Sequence, residues 1–255
     1  MTVRAVPQLS VILAVTLSAW PARAHAQSAW TVDAKLSLAW WQMSPHFASL
    51  WGTTCPGDPG WQAGEGGSSE WRPTSVRRQR GYPEKADTVN VPLYPRRDVQ
   101  PICRAAVTGH LARADTSTWA GIHGDVTVDM DSLEMGSRMR DGYAYATVFE
   151  TGRYPTTHYR IDSLVNVTQQ GDTLLGTAVG VMTIRGVDTT LTAVMRAWPQ
   201  EGGMRVLAKL RIPAVALEDK FGVSRLALSL GVGANLWQDL FMGVDLLLRP
   251  AVAGN

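Results

Sequence analysis

The side chains best placed to do chemistry are five histidines, two cysteines and a close pair of aspartates, and their spacing supports little of it. His25, His46, His110, His123 and His158 are scattered, with no H-E-x-x-H pair that would seat a zinc ion. No G-x-S-x-G turn presents a serine nucleophile, and no P-loop or dinucleotide fingerprint is present. Asp129 and Asp131 stand two apart, on one face if the segment is a strand, which is the usual pattern of a solvated edge. The sequence gives no positive support for an enzyme, a resident metal or a cofactor.

Cys55 and Cys103 carry the remaining chemistry, and the N-terminus decides which. Arg4 precedes an apolar run from Leu9 to Trp20, then Pro21 and the small-residue site Ala24-His25-Ala26. This is the pattern of a secretory signal peptide over residues 1–26, too short and wrongly flanked for a spanning helix. Cleavage after Ala26 predicts a periplasmic or secreted chain beginning at Gln27. In an oxidising compartment two cysteines are expected to pair. Closing a loop of roughly 50 residues stabilises by about 4 kcal/mol on the chain-entropy view.

Removing the signal also resolves the charge. Arg4 and Arg23 leave with it, so the 24 basic residues fall to 22, equal to the 22 acidic ones. A neutral chain without a basic stripe is not built to bind nucleic acid.

The segment between the cysteines differs from its flanks. Cys55-Pro-Gly-Asp-Pro-Gly-Trp61 is a turn cluster, Gly64–Ser69 is rich in glycine and serine, and Tyr82-Pro83, Val91-Pro92 and Tyr94-Pro95 interrupt any regular element. We read 55–103 as a disulfide-closed insertion in a single domain spanning 27–255. Its run Arg77-Arg78-Gln79-Arg80 suits either a solvated surface or peripheral contact with anionic lipid head groups. The acidic residues of the loop nearly offset its basic ones.

Outside the insertion the chain reads as strands. Trp30–Met43, Ala106–Ala114, Gly124–Asp131, Thr157–Asn166, Asp172–Ile184, Val187–Trp198, Met204–Ile212 and Asp239–Leu248 are about eight segments with polar residues alternating outward. Met204–Ile212 is the clearest, with Val206, Ala208, Leu210 and Ile212 in strict period two. One short helical segment, Tyr143 to Glu150, spaces Tyr143, Ala144, Val148 and Phe149 along one face. Ile184-Arg185-Gly186-Val187 reads as a tight hairpin turn. Eight antiparallel strands can close on themselves, which removes the exposed edges and leaves room for one elongated apolar ligand. Ten Trp and nine Met suit the lining of such a cavity, although ordinary core packing uses them equally well. An outer-membrane barrel would need an apolar outer band, which Asp125, Asp129, Asp131, Lys209 and Arg211 interrupt.

Several of these pieces coincide with one known pattern. Gly136-Ser-Arg-Met-Arg140-Asp141, then Tyr154-Pro155, then the Gly186-Val187 turn, resemble the YceI-like family of periplasmic lipid-binding barrels. The resemblance is strongest from Trp119 to Trp198, fair at Trp30-Thr31-Val32-Asp33 and at His46, and weaker from Phe221 to Leu248. The chain departs from the family pattern in its insertion and in the bulky pair Trp40-Trp41. The resemblance implies an all-β fold, an extended antiparallel eight-stranded lipocalin-like barrel. It implies non-catalytic binding of a long-chain isoprenoid lipid, such as an isoprenoid quinone, in an apolar channel. Gly136, Arg140, Asp141 and Pro155 are read as structural.

Candidate ligand contacts are the apolar residues expected to point inward or to cover the mouth: Trp41, Met43, Tyr143, Phe149, Tyr159, Ile161, Met182, Val194, Leu210, Phe221 and Trp237. His46 is the candidate for a polar head group. For each, packed core is an equally good reading. The competing function is a structural or interaction barrel filled by its own Trp and Met side chains, with the insertion binding a protein partner of unknown identity.

Overall fold

The computed structural model describes residues 29–43, 50–54, 105–114, 118–134, 138–200, 202–223 and 239–251. The signal segment, both cysteines and the insertion between them, His46 and Trp237 lie outside these residues.

Among the described residues ten strands form one sheet: β1 (Ala29–Val32), β2 (Leu38–Met43), β3 (Leu50–Thr53), β4 (Val107–Arg113), β5 (Ile122–Asp129), β6 (Thr156–Gln170), β7 (Thr173–Ile184), β8 (Val187–Gln200), β9 (Gly203–Ile212) and β10 (Leu240–Pro250). Every pairing among them is antiparallel. β1 and β4 to β10 form a ring of eight in the order β1-β4-β5-β6-β7-β8-β9-β10, closed by β10 against β1. The fold is therefore the expected all-β barrel of eight strands.

The ten segments exceed the eight expected for two local reasons. The first expected strand is broken in two. Thr31 pairs with Arg249 and Ala39 with Val244, so β1 and β2 lie end to end along β10, interrupted at Asp33–Ser37. Inside the break, Asp33 N–H donates to Leu247 O (2.8 Å) and Leu247 N–H donates to Ser37 Oγ (2.9 Å). These bonds keep β10 satisfied where its neighbour leaves the ladder. The other addition is β3, which pairs with β2 and exchanges hydrogen bonds between Thr53 and Glu134.

The connection from β5 to β6 holds the helical structure. Asp129 caps a 3-10 turn, Met130–Ser132, by accepting from Asp131 N–H (3.1 Å) and Ser132 Oγ–H (3.2 Å). Asp131 therefore sits in that turn, not on a strand face with Asp129. Helix α1 (Arg138–Tyr143) then continues as a π-helical stretch, Ala144–Val148. The helix is thus longer at its start than the expected Tyr143–Glu150. A second short helix, α2 (Ala214–Asp219), follows β9.

The Ile184–Val187 turn is as tight as expected. Arg185 and Gly186 both have positive φ, 52° and 72°, as a two-residue hairpin loop requires. Arg185 takes that conformation at some cost, and its guanidinium offsets it by pairing with Glu150 and donating to Gly222 O (2.9 Å).

The wall has an unexpected outer layer. On β2, β9 and β10 the outward side chains are buried as well: Trp40, Leu207, Lys209, Phe241, Asp245 and Leu247. Arg205 pairs with Asp245, and the Lys209 ammonium stands 5.3 Å from the Phe241 ring centroid. Lys209 and its neighbours are therefore not the solvated outward positions that simple alternation predicts. Trp40 lies flat against Gly243, where any added Cβ would strike its ring.

Candidate functional site

Strand register assembles the site. Residues paired across neighbouring strands share a face, so inward rows can be read around the ring. One row is Ala178, Ala193, Leu210 and Met242; the next is Gly176, Met195, Ala208 and Val244. In the first row the alanines of β7 and β8 face Leu210 and Met242, and in the second Gly176 and Ala208 flank Met195; these small residues leave a central space. That space is a cavity of about 100 Å³ whose wall is almost wholly apolar.

Four methionines border it: Met182, Met195, Met204 and Met242. Among the described side chains that border the cavity, two carry hydroxyls. Thr157 donates to Thr183 O at 2.7 Å. The Tyr159 hydroxyl lies 3.0 Å from both Ala178 O and Leu191 O. Burial, reinforced by the negative charge of Asp162, pushes the Tyr159 pKa well above its usual value, so it stays a neutral donor. Both hydroxyls are spent on the barrel's own backbone. Among the described residues, the wall that borders the cavity is therefore suited to an apolar chain. Trp40, Lys209 and Gly243 also border the cavity, although register puts their side chains on the outer face; glycine leaves the wall thin there.

The two ends of the barrel differ. At the end formed by the Ile184–Val187 turn, α2 and the π-helical stretch, the interior is plugged. Trp41 meets Phe149 edge to face, with ring centroids 5.9 Å apart. Met130, Ile184, Ile212 and Phe221 pack beside them, all buried. At the other end the β4–β5 connection places Trp119, half-buried, on the cavity wall.

The sequence-derived candidates sort accordingly. Tyr159, Ile161, Met182 and Leu210 line the cavity. Trp41, Phe149 and Phe221 are buried in the plug, and Tyr143 is half-buried against the core; none of the four borders the cavity. Met43 belongs to β2, and its side chain lies outside the described ones. Val194 was expected inside and is outside: it pairs with Thr177 and Lys209 on the outer face, while Ala193 and Met195 point in. Residues missed by sequence reading include Trp119, Ala178, Ala193, Met195, Met204 and Met242. The period-two pattern of β7 held the signal for Ala178, but alanine is a weak one.

The histidines of the described strands serve the outer surface. His110 Nδ1 lies 2.8 Å from Asp125, and His158 Nδ1 lies 2.9 Å from Thr127 Oγ1. Among the described residues no three His, Cys, Asp or Glu side chains group to hold a metal ion, and no helix is long and apolar enough to cross a membrane.

Comparison with known proteins places this geometry. No curated protein matches the sequence significantly. Solved structures share the fold, and two of them align over most of both chains. BcnA of Burkholderia cenocepacia is 12% identical, with 84% of this chain and 98% of that chain covered at a TM-score of 0.50. A polyisoprenoid binding domain from Saccharophagus degradans, implicated in plant cell wall breakdown, is also 12% identical, with 88% and 99% covered at 0.53. The sequence pattern of the YceI-like domain matches residues 102–238, more than half of the chain. A closed eight-stranded barrel, its apolar lumen and that match lead to one assignment: the chain belongs to the YceI-like domain family.

Proposed function

We propose that this protein binds the apolar chain of an isoprenoid lipid, of the polyprenyl quinone type, in the barrel lumen and catalyses nothing. The observation that carries the reading is the lumen's chemistry: among the described residues, an apolar cavity wall on which the two hydroxyl side chains, Thr157 and Tyr159, are already bonded to backbone carbonyls. The neighbour from Saccharophagus degradans, described as a polyisoprenoid binding domain, supports it. Burial of apolar surface at about 25 cal/mol per Å² supplies the driving force, so affinity follows tail length more than head group. The reading includes a periplasmic or secreted protein cleaved near Ala26, with Cys55 and Cys103 bonded. Free-thiol labelling of the denatured, unreduced protein tests the bond: no label is expected, and two thiols per chain refute it.

One observation favours the self-filled barrel. The cavity of about 100 Å³ is no larger than the engineered cavities of about 150 Å³ that hold a single benzene. A long tail needs the lumen to widen. Met182, Met195, Met204 and Met242 provide for this, being unbranched and able to change rotamer at low cost. Organic extraction of natively purified protein followed by mass spectrometry decides between the two. A stoichiometric prenyl lipid is expected. An empty wild-type protein that also takes up no added prenyl quinone establishes the self-filled barrel.

A further inference from the structure

The barrel closes as a ring, yet two stretches of strand run past their neighbours. β8 meets β9 only from Ala193 onward, opposite Leu210. β9 stays with β10 as far as Ile212 and then leaves the sheet at Pro213, which has no N–H to give a ladder. The start of β8, Val187 to Thr192, therefore pairs with β7 and with no other described strand. β6 is left in the same way beyond Ile161, where its pairing with β5 ends.

Only the β8 edge is built to take another strand. The Ile184–Val187 turn fixes its phase. The residues that flank a two-residue hairpin loop exchange hydrogen bonds, so Val187, Thr189 and Leu191 turn their backbone groups toward β7. Asp188, Thr190 and Thr192 turn theirs to the open side. No register shift, proline or lysine interrupts this edge, and its β-branched residues favour an extended chain. Its one charge, Asp188, accepts from Thr183 Oγ1 at 2.6 Å. Val187 is 37% exposed, and Val215, just past the end of β9, is 55% exposed. Apolar surface thus flanks open backbone. β6 contrasts with this. Beyond Ile161 its register with β7 slips twice, Asn166 has a φ of 52°, and Leu164 N–H donates to Ala120 O. Irregularities of this kind blunt an edge, and the exposed Val165 stands on the blunted one.

We infer that the β8 edge is an interaction surface for a second copy of this chain, paired antiparallel across a two-fold axis at Thr189. The edge itself selects this occupant and this register. With Thr189 beside its mate, Asp188 and Thr190 exchange hydrogen bonds with Thr190 and Asp188 of the second copy, about four in all. On the polar outer face each Asp188 then lies opposite a threonine. Centring one residue earlier sets the two aspartates face to face. On the inner face Val187 lies opposite Leu191, so apolar meets apolar. Centring one residue later drives the second copy's turn into β9, where Leu210 already pairs with Ala193. An interface of one strand pair is small, so the dimer is weak and reversible.

Sedimentation velocity of the purified full chain, from about 1 µM to about 500 µM, tests this beside residue-resolved hydrogen exchange. A reversible monomer–dimer equilibrium is expected, with the Asp188 and Thr190 amides protected only at high concentration. Thr190→Pro removes an edge donor that β7 does not use, so it should weaken association about tenfold or more. Thr189→Cys should give a covalent dimer under air oxidation, joined through position 189 by mass spectrometry, and Val165→Cys should not. The cross-link reads the interface even where the proline variant fails to fold. A protein that stays monomeric throughout overturns the inference. Protection of Asp188 and Thr190 that does not change with dilution also overturns it, because another segment of the same chain then occupies the edge. So does a dimer that fails to join through position 189, or one that a folded Thr190→Pro variant leaves unchanged.

Discussion

Ala193→Leu should make the protein more stable and a worse lipid binder. Ala193 faces the lumen, with Ala178 beside it on β7 and Leu210 beside it on β9. Small neighbours leave the new side chain space to occupy. An empty cavity of about 100 Å³ costs roughly 2 kcal/mol at about 24 cal/mol per Å³. Leucine adds three carbons, each contributing about 0.8 kcal/mol when buried, so the available gain is of the same size. Allowing for imperfect fit, delipidated Ala193→Leu should gain about 1–2 kcal/mol, and its Tm should rise by about 3–6 °C. The same carbons occupy the volume a prenyl tail needs, so lipid recovered per mole after identical expression should fall sharply. The assay is thermal unfolding of delipidated protein beside mass spectrometry of extracted lipid. A lower Tm means the space is already filled and the cavity argument is wrong. A higher Tm with undiminished lipid means the ligand lies outside the lumen.

Tyr159→Phe removes the hydroxyl bonded within the wall and should cost about 1 kcal/mol at neutral pH in urea unfolding. Because the folded pKa is raised above the usual 10.0, the wild-type contribution is complete below about pH 10 and fades as pH rises beyond it. The variant should therefore lose less stability between pH 9 and 11, and parallel curves would refute the assignment. Arg185→Ala breaks the ties to Glu150 and Gly222 O and should cost about 1–3 kcal/mol. Arg185→Gly loses the same ties but relaxes the positive φ, so it should cost less; equal midpoints would show that the turn carries no strain.

How far the sequence could be read depended on how much each strand's two faces differ. β9 was legible because Val206, Ala208, Leu210 and Ile212 alternate with charged or larger residues. β8 was not. From Ala193 to Trp198 apolar residues occupy both parities, and ranking by size selects Val194 over Ala193. A barrel with a lumen reverses that ranking, since the space exists where side chains are small. The hairpin turn was legible because Gly186 and the flanking alternation are local signals. The break at Asp33–Ser37 was not, because β10, more than 200 residues away, supplies its compensating bonds.

The adjacent tryptophans show what tertiary structure adds. In a strand, neighbours must face opposite ways, so Trp40 and Trp41 could not both enter the tunnel. Trp41 closes one end against Phe149, and Trp40 covers Gly243 from outside. The bulk of the pair, a departure from the family pattern, is thereby divided between an end and an outer wall. Along β7 and β8 the lumen is bordered largely by Ala178, Met182, Ala193, Met195 and Ala197, residues that are small or unbranched and so leave or yield space.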